Sequence, residues 1–198
     1  MRVVDEFENG FGWQADTAEH TERTSHAVAS GGGVWLFDAV DVDGLDERVG
    51  ELGEPAGVVQ LLDRHGRDCL TIAERLGVPL LVTPRESYAA IRPIRTVWAP
   101  GWHEVAVHFA DERVLVVGDA LGTARYFRAP GERLAVHPVL RAVPPRKLAG
   151  LAPLHVLCGH GEGVHGDEAA PAVDEALETA RRRFLSWLPA SIKAWRER

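Results

Sequence analysis

Cysteine, lysine, tyrosine and methionine are scarce in this chain of 198 residues, with two, two, two and one copies. Two cysteines, Cys69 and Cys158, cannot staple a disulfide framework, and they are expected as free thiols in a reducing compartment. No apolar run approaches the ~20 residues of a membrane span. The opening Met1-Arg2-Val3-Val4-Asp5-Glu6 lacks the apolar core of a secretory signal. A cytoplasmic protein with no membrane partner is therefore expected. Positive charge is also short: the net charge of -7 argues against general nucleic-acid binding, which needs a basic surface. The basic residues are nearly all Arg, with Lys147 and Lys193 the only lysines; this fits a coding bias and carries no mechanism. There is no low-complexity linker and no short repeat. Residues 1–198 read as one domain, built from two βαβ-rich halves meeting near Pro100.

What is present is a set of short apolar runs with turn signals between them. Phe11 to Asp16 is a strand candidate. Residues 25–29 and 34–37 alternate around Gly31-Gly32-Gly33 and predict a hairpin; the triplet precedes a strand and lacks the Gly-Lys-Ser/Thr ending of a phosphate loop. A short helix starts after Asp43. Residues 58–62, 68–76 and 78–82 predict strand, helix and strand, the helix ended by Gly77. Further strands are expected over 92–98, 104–109, 113–117 and 155–158, with a short helix over 144–151. A terminal helix from about Asp167 carries Val173, Leu177, Ala180, Phe184 and Leu188 as an amphipathic stripe, suited to packing on a sheet or to a homodimer face. Trp187 and Trp195 are expected in the core or an interface, and Arg181-Arg182-Arg183 on a solvated face.

Four of the apolar runs break off at residues that ionise or bind metal: 34–37 at Asp38, 58–62 at Asp63-Arg64-His65, 114–118 at Asp119, and 156–159 at His160. Buried strands ending in polar groups line one rim of a sheet, where open α/β folds build their sites. Leu62 to Cys69 crowds charged and coordinating groups into one strand-to-helix turn. There Asp68 is either an N-cap or a ligand. Cys69 is either a helix-start thiol of lowered pKa or an inert buried one. His65 is a ligand, a base or a hydrogen-bonded loop residue. A carboxylate at Asp119, after so apolar a strand, needs a cation, donors or water.

With these motifs the chain resembles the metallo-β-lactamase superfamily over nearly its whole length: the hairpin into Leu36-Phe37-Asp38, the turn and helix from Leu61 to Gly77, Gly118-Asp119, and Gly159-His160-Gly161. The resemblance implies an α/β (α+β) fold, a four-layer αββα sandwich. It also implies a two-metal site, commonly zinc, built on a Thr-His-x-His-x-Asp-His turn, a His after Pro-Gly, a bridging Asp and a last His, with hydrolysis of an ester, amide, thioester or phosphodiester.

Against that pattern Arg64 and Gly66 stand in the first two His positions, Cys69 in the third, and Trp102 after Pro100-Gly101, with His103 one place late. Asp68, Asp119 and His160 are retained. The first metal site is thus expected to be lost. A guanidinium ~4 Å from a dication repels it by roughly 8 kcal/mol at an effective dielectric of about 20, so Arg64 is expected to fill that site and pair with Asp119. One zinc-type divalent ion on Asp68, Cys69, Asp119 and His160, or no metal at all, remains. Two functions follow. One is a binding or structural pseudoenzyme. The other is a mononuclear hydrolase with Asp119 orienting or deprotonating water and His65 or His103 protonating the leaving group. Thiol chemistry at Cys69 is a third. The ligand is an unidentified small molecule, and residues 84–92 and 120–135, with Tyr88, Tyr126, Phe127 and Arg128, are expected near the cleft mouth.

Overall fold

The computed structural model describes residues 1–15 and 22–196, with side chains to residue 188. Asp16 lies outside the described residues, as does the side chain of Trp195. The first sheet takes β1 (Arg2–Phe7), β2 (Gly10–Gln14), β3 (Ser25–Ser30), β4 (Gly33–Phe37), β5 (Pro55–Gln60) and β6 (Leu80–Val82) in that spatial order. β1 to β4 form an antiparallel meander, and β4, β5 and β6 are parallel. Their crossovers are α1 (Leu45–Leu52) and α2 (Cys69–Leu76). The second sheet contains β7 (Pro93–Ala99), β8 (Trp102–Phe109), β9 (Val114–Val117), β12 (His155–Cys158) and β13 (Val164–His165), in the order β13-β12-β9-β8-β7. A two-strand ribbon of β10 (Leu121–Gly122) and β11 (Ala135–Val136) lies beside it, and α3 (Ala169–Arg196) closes the chain. Among the described residues no helix is long and apolar enough to cross a membrane.

Alternation within the strands sorts side chains into layers. In β4, Trp35 and Phe37 enter the core between the sheets, while Val34 and Leu36 face α1 and α2. In β9, Val114 and Val116 face the first sheet, and Leu115 and Val117 face α3. The result is a helix–sheet–sheet–helix sandwich, the four layers the resemblance implies. The Gly31-Gly32 turn has φ of 60° and 82°, the left-handed pair that a two-residue hairpin requires and that glycine adopts at no steric cost.

Three elements differ from the sequence reading. Residues 144–151 hold only a 3-10 turn, Arg146–Leu148, because Pro144 and Pro145 supply no N–H and Gly150 ends it at φ 74°. On α3 the apolar stripe outruns the sheet: Val173, Leu177 and Ala180 are buried, whereas Phe184 and Leu188 are exposed. The arginines sit at the middle of α3, too far from its end to complement the helix dipole, and tie down loops instead, Arg181 donating to Ala142 O at 2.8 Å and Arg183 to Pro130 O at 3.0 Å. Trp187 is half-buried and donates to Tyr126 O at 2.8 Å.

The third difference is β1, whose sequence shows no alternation. It is held by Asp5, whose buried Oδ1 accepts from Gly163 N at 2.7 Å and pairs with His165 Nε2 at 2.9 Å; His26 Nε2 lies 3.4 Å from Oδ2. Asp5 thereby joins the first sheet to the second. Burial works against its charge, but the contacts with His165 and His26 outweigh burial and hold the carboxyl well below its usual range. Its stabilising contribution is present above the unfolded carboxylate's pKa of ~3.9 and fades as pH falls below that. Asp5→Ala is expected to cost about 3 kcal/mol at pH 7 and to flatten the acid limb of a urea-stability profile. A parallel acid limb in the variant contradicts this account.

Candidate metal centre

Two parallel strand pairs, β4/β5 in one sheet and β9/β12 in the other, point their C-terminal ends at the same rim. Asp38, at φ 43°, follows β4. Its Oδ1 accepts from Leu61 N at 2.8 Å, and its Oδ2 lies 2.7 Å from His65 Nδ1. A carboxylate at that distance fixes the tautomer, with the proton on Nδ1 and the Nε2 side turned inward. His65 Nε2 then lies 3.2 Å from Asp119 Oδ1, and His160 Nε2 lies 3.0 Å from the same oxygen. All three side chains are buried. Their ligand-type atoms fall within 4.8 Å of one another.

Asp119 Oδ1 is nonetheless without a well-directed hydrogen bond. Two imidazole nitrogens lie 3.0 and 3.2 Å from it without meeting hydrogen-bond geometry, so the contact is one of charge and proximity. Donor atoms arranged around a shared point, and not aimed at each other, are what a metal ion requires. Burial raises the Asp119 pKa, but contacts with His160 and His65 prevail and hold it well below the carboxylate range. Burial lowers that of His65, but Asp38 and Asp119 outweigh it and lift the ring to about 9.

Around this cluster runs a ring of contacts. Arg64 places Nη2 3.4 Å from Asp119 Oδ2, donates from Nη1 to Gly101 O at 3.0 Å, and lies 4.6 Å over Trp102. Its side chain is 48% exposed. Trp102 meets the edge of His137 at 4.8 Å, His137 meets Phe127 at 5.1 Å, and Phe127 stacks on His160 at 5.9 Å. Tyr126 meets the same imidazole edge-on at 5.9 Å. Arg67 ties the loops together beneath, donating to Thr24 O at 2.7 Å, Asp38 O at 2.8 Å and Gly159 O at 3.2 Å.

The predicted residues divide. Asp119, His160, His65 and Arg64 come together, and Tyr126 and Phe127 line the cluster. Asp68 and Cys69 do not join it. Cys69 is fully buried among Val34, Leu36, Ile72 and Ala73, with its thiol 3.8 Å from Ala39 O and His65 O. Burial, then the Asp38 charge, pushes its pKa up to about 12, which matches the inert buried thiol of the two alternatives and gives thiol chemistry there no support. Asp68 neither caps α2 with its side chain nor reaches the cluster; its Oδ2 accepts from Asp41 N at 2.8 Å. His103 also stands apart, 3.2 Å from Asp63 and 4.5 Å from the Trp98 ring. Tyr88 packs edge-on to Trp35.

Two site residues escape the sequence reading. Glu104, fully buried at the start of β8, accepts from Ala120 N at 2.8 Å and Trp102 Nε1 at 2.9 Å. Burial, then the Asp119 charge, pushes it up to about 7. Its signal was a lone carboxylate opening an apolar run. His137 Nδ1 accepts from Val139 N at 3.3 Å, and burial pushes the ring down to about 4. Nothing in the local sequence marks it.

No protein-family model matches the chain, and no curated protein is significantly similar to it. Solved structures do match. The metallo-β-lactamase DIM-1, in a structure exposed to ceftazidime, aligns with a TM-score of 0.57 at 13% identity over 90% of this chain and 97% of its own. A metallo-β-lactamase from Pontibacter korlensis gives 0.56 at 12% identity, covering 89% and 98%. TTHA1623, in a di-iron-bound form, gives 0.55 at 18% identity, covering 79% and 93%. At these identities the likeness is one of fold.

Proposed function

We propose that this chain, which has the metallo-β-lactamase fold, is a mononuclear metal-dependent hydrolase of a small ester, thioester or phosphodiester. Its ligands are His65, Asp119 and His160, and the first site of a dinuclear centre has been lost. One observation carries the reading: buried Asp119 Oδ1 lacks a directed hydrogen bond while two imidazole nitrogens approach it within 3.2 Å. Two His and one Asp suit zinc, and a divalent ion held by three ligands supplies an open position at which a water is acidified.

The chain's own groups prepare the rest. Asp38 fixes the His65 tautomer and ring orientation. Glu104, whose carboxyl is pushed up by burial and the Asp119 charge, holds the Ala120 amide and the Trp102 indole, and so positions Asp119 and the platform under Arg64. Arg64 keeps a cation at the mouth, where negative charge develops on a substrate oxygen. His137, neutral at pH 7 with its proton on Nε2, adds an uncharged donor beside Trp102 and Phe127.

A second reading, a metal-free binding or structural pseudoenzyme, draws on the Arg64–Asp119 pair, which offsets one carboxylate charge without an ion. Purification without chelator followed by elemental analysis separates the two. The hydrolase reading expects about one equivalent of metal, a melting temperature that falls with chelator, and turnover of generic esters or phosphodiesters. Metal below about a tenth of an equivalent, with an unmoved melting temperature, removes it.

A further inference from the structure

Beyond the end of β6, a cavity of about 490 Å³ opens against β7 and β8. That volume lies within the range of small-molecule sites. Its apolar lining includes Pro84, Pro93, Ile94 and Trp98. Three cations reach it from separate parts of the chain: Arg85 from the segment after β6, Arg95 from β7 and Lys147 from the 3-10 turn. No acidic side chain lines it.

These three cations are unlike most others in the protein. Arg48, Arg75, Arg141 and Arg183 each meet a carboxylate. Arg85, Arg95 and Lys147 have neither an ion-pair nor a hydrogen-bond partner among the described residues. Arg85 is still held in place, its guanidinium 4.6 Å over the Trp98 ring. In a chain of net charge -7, three cations without carboxylate partners around one cavity with no acidic lining make a local positive field. Two guanidinium forks and an ammonium match the oxygens of linked phosphates, and the half-buried Pro93 and Ile94 offer apolar contact area.

We infer that this cavity binds a small organic phosphate bearing two or more negative charges, of about nucleoside-diphosphate size. The site is separate from the metal centre, since none of its lining residues belongs to the His65, Asp119 and His160 cluster. It does not depend on the hydrolase reading.

The test is calorimetric titration of the full chain with ADP, pyrophosphate and adenosine. ADP is expected to bind at one site, more weakly as salt rises, with pyrophosphate weaker than ADP and adenosine silent. The double variant Arg95→Glu, Lys147→Glu should weaken ADP binding by about tenfold or more while leaving circular dichroism and metal content unchanged. Arg85→Ala, also exposed, should weaken it in the same direction. His160→Ala should bind ADP like the parent. Absence of ADP binding at millimolar concentration overturns the inference, as does undiminished affinity in the double variant. Loss of binding in His160→Ala assigns the phosphate to the metal centre and overturns it too.

Discussion

The His160→Ala protein is expected to bind less than about a tenth of an equivalent of zinc or cobalt under conditions that fill the parent chain with one. His65→Ala should behave the same way, and Cys69→Ala should not. The contrast follows from where the side chains lie. His65 Nε2 and His160 Nε2 both converge on Asp119 Oδ1, whereas the Cys69 thiol is sealed in the helix-facing core. A set of three ligands leaves no spare donor, so removal of either imidazole leaves two, too few for a stable site. Any hydrolytic turnover should vanish with the metal. Because Cys69 is buried, Cys69→Ala is expected to cost about 1–2 kcal/mol of stability while retaining metal. Equilibrium dialysis followed by elemental analysis reads all three variants; retention of metal by His65→Ala would sink the ligand assignment.

The second large effect concerns the loop that walls the site. Arg141 is fully buried between Glu132, at 2.8 and 2.6 Å, and Phe127 O, at 2.8 Å. Glu132 in turn accepts from Ala129 N at 2.6 Å. This pair closes residues 127–141, which carry Phe127 and His137, onto themselves and so sets the shape of the loop that walls the site. Arg141→Ala strands the Glu132 carboxylate in the interior and is expected to destabilise by about 3–5 kcal/mol. The double variant Arg141→Met, Glu132→Gln removes both charges and keeps the volume, so most of that loss should return. Urea unfolding of the single and double variants measures the coupling. Equal destabilisation by both would show that packing, and not charge pairing, holds the loop.

Much of the architecture is legible in the sequence because the buried strands announce themselves. The runs ending at Asp38, Asp119 and His160 are apolar, short and closed by polar residues, and each becomes a strand delivering its terminal residue to the rim. β1 is not legible, since Asp5 sits in the core only because Gly163 and His165, far along the chain, supply its partners. Asp119 and His160 were found for the same reason as their strands. Of the two roles open to Cys69, ligand or inert buried thiol, the structure shows it away from the cluster, and helical spacing carries the reason: Cys69, Ile72 and Ala73 share one face of α2, and that face packs against β4. The inward turn of His65 was beyond local reading, because it depends on Asp38, 27 residues earlier. His137 belongs with it; its place is set by Trp102 and Phe127, not by its neighbours.

The proposed centre holds a single ion on His65, Asp119 and His160. Anomalous scattering from a crystal of zinc-loaded protein tests it most directly. One peak within ~2.0–2.2 Å of His65 Nε2, Asp119 Oδ1 and His160 Nε2 is the predicted result. A peak at Cys69 and Asp68, or a pair of peaks, would contradict it.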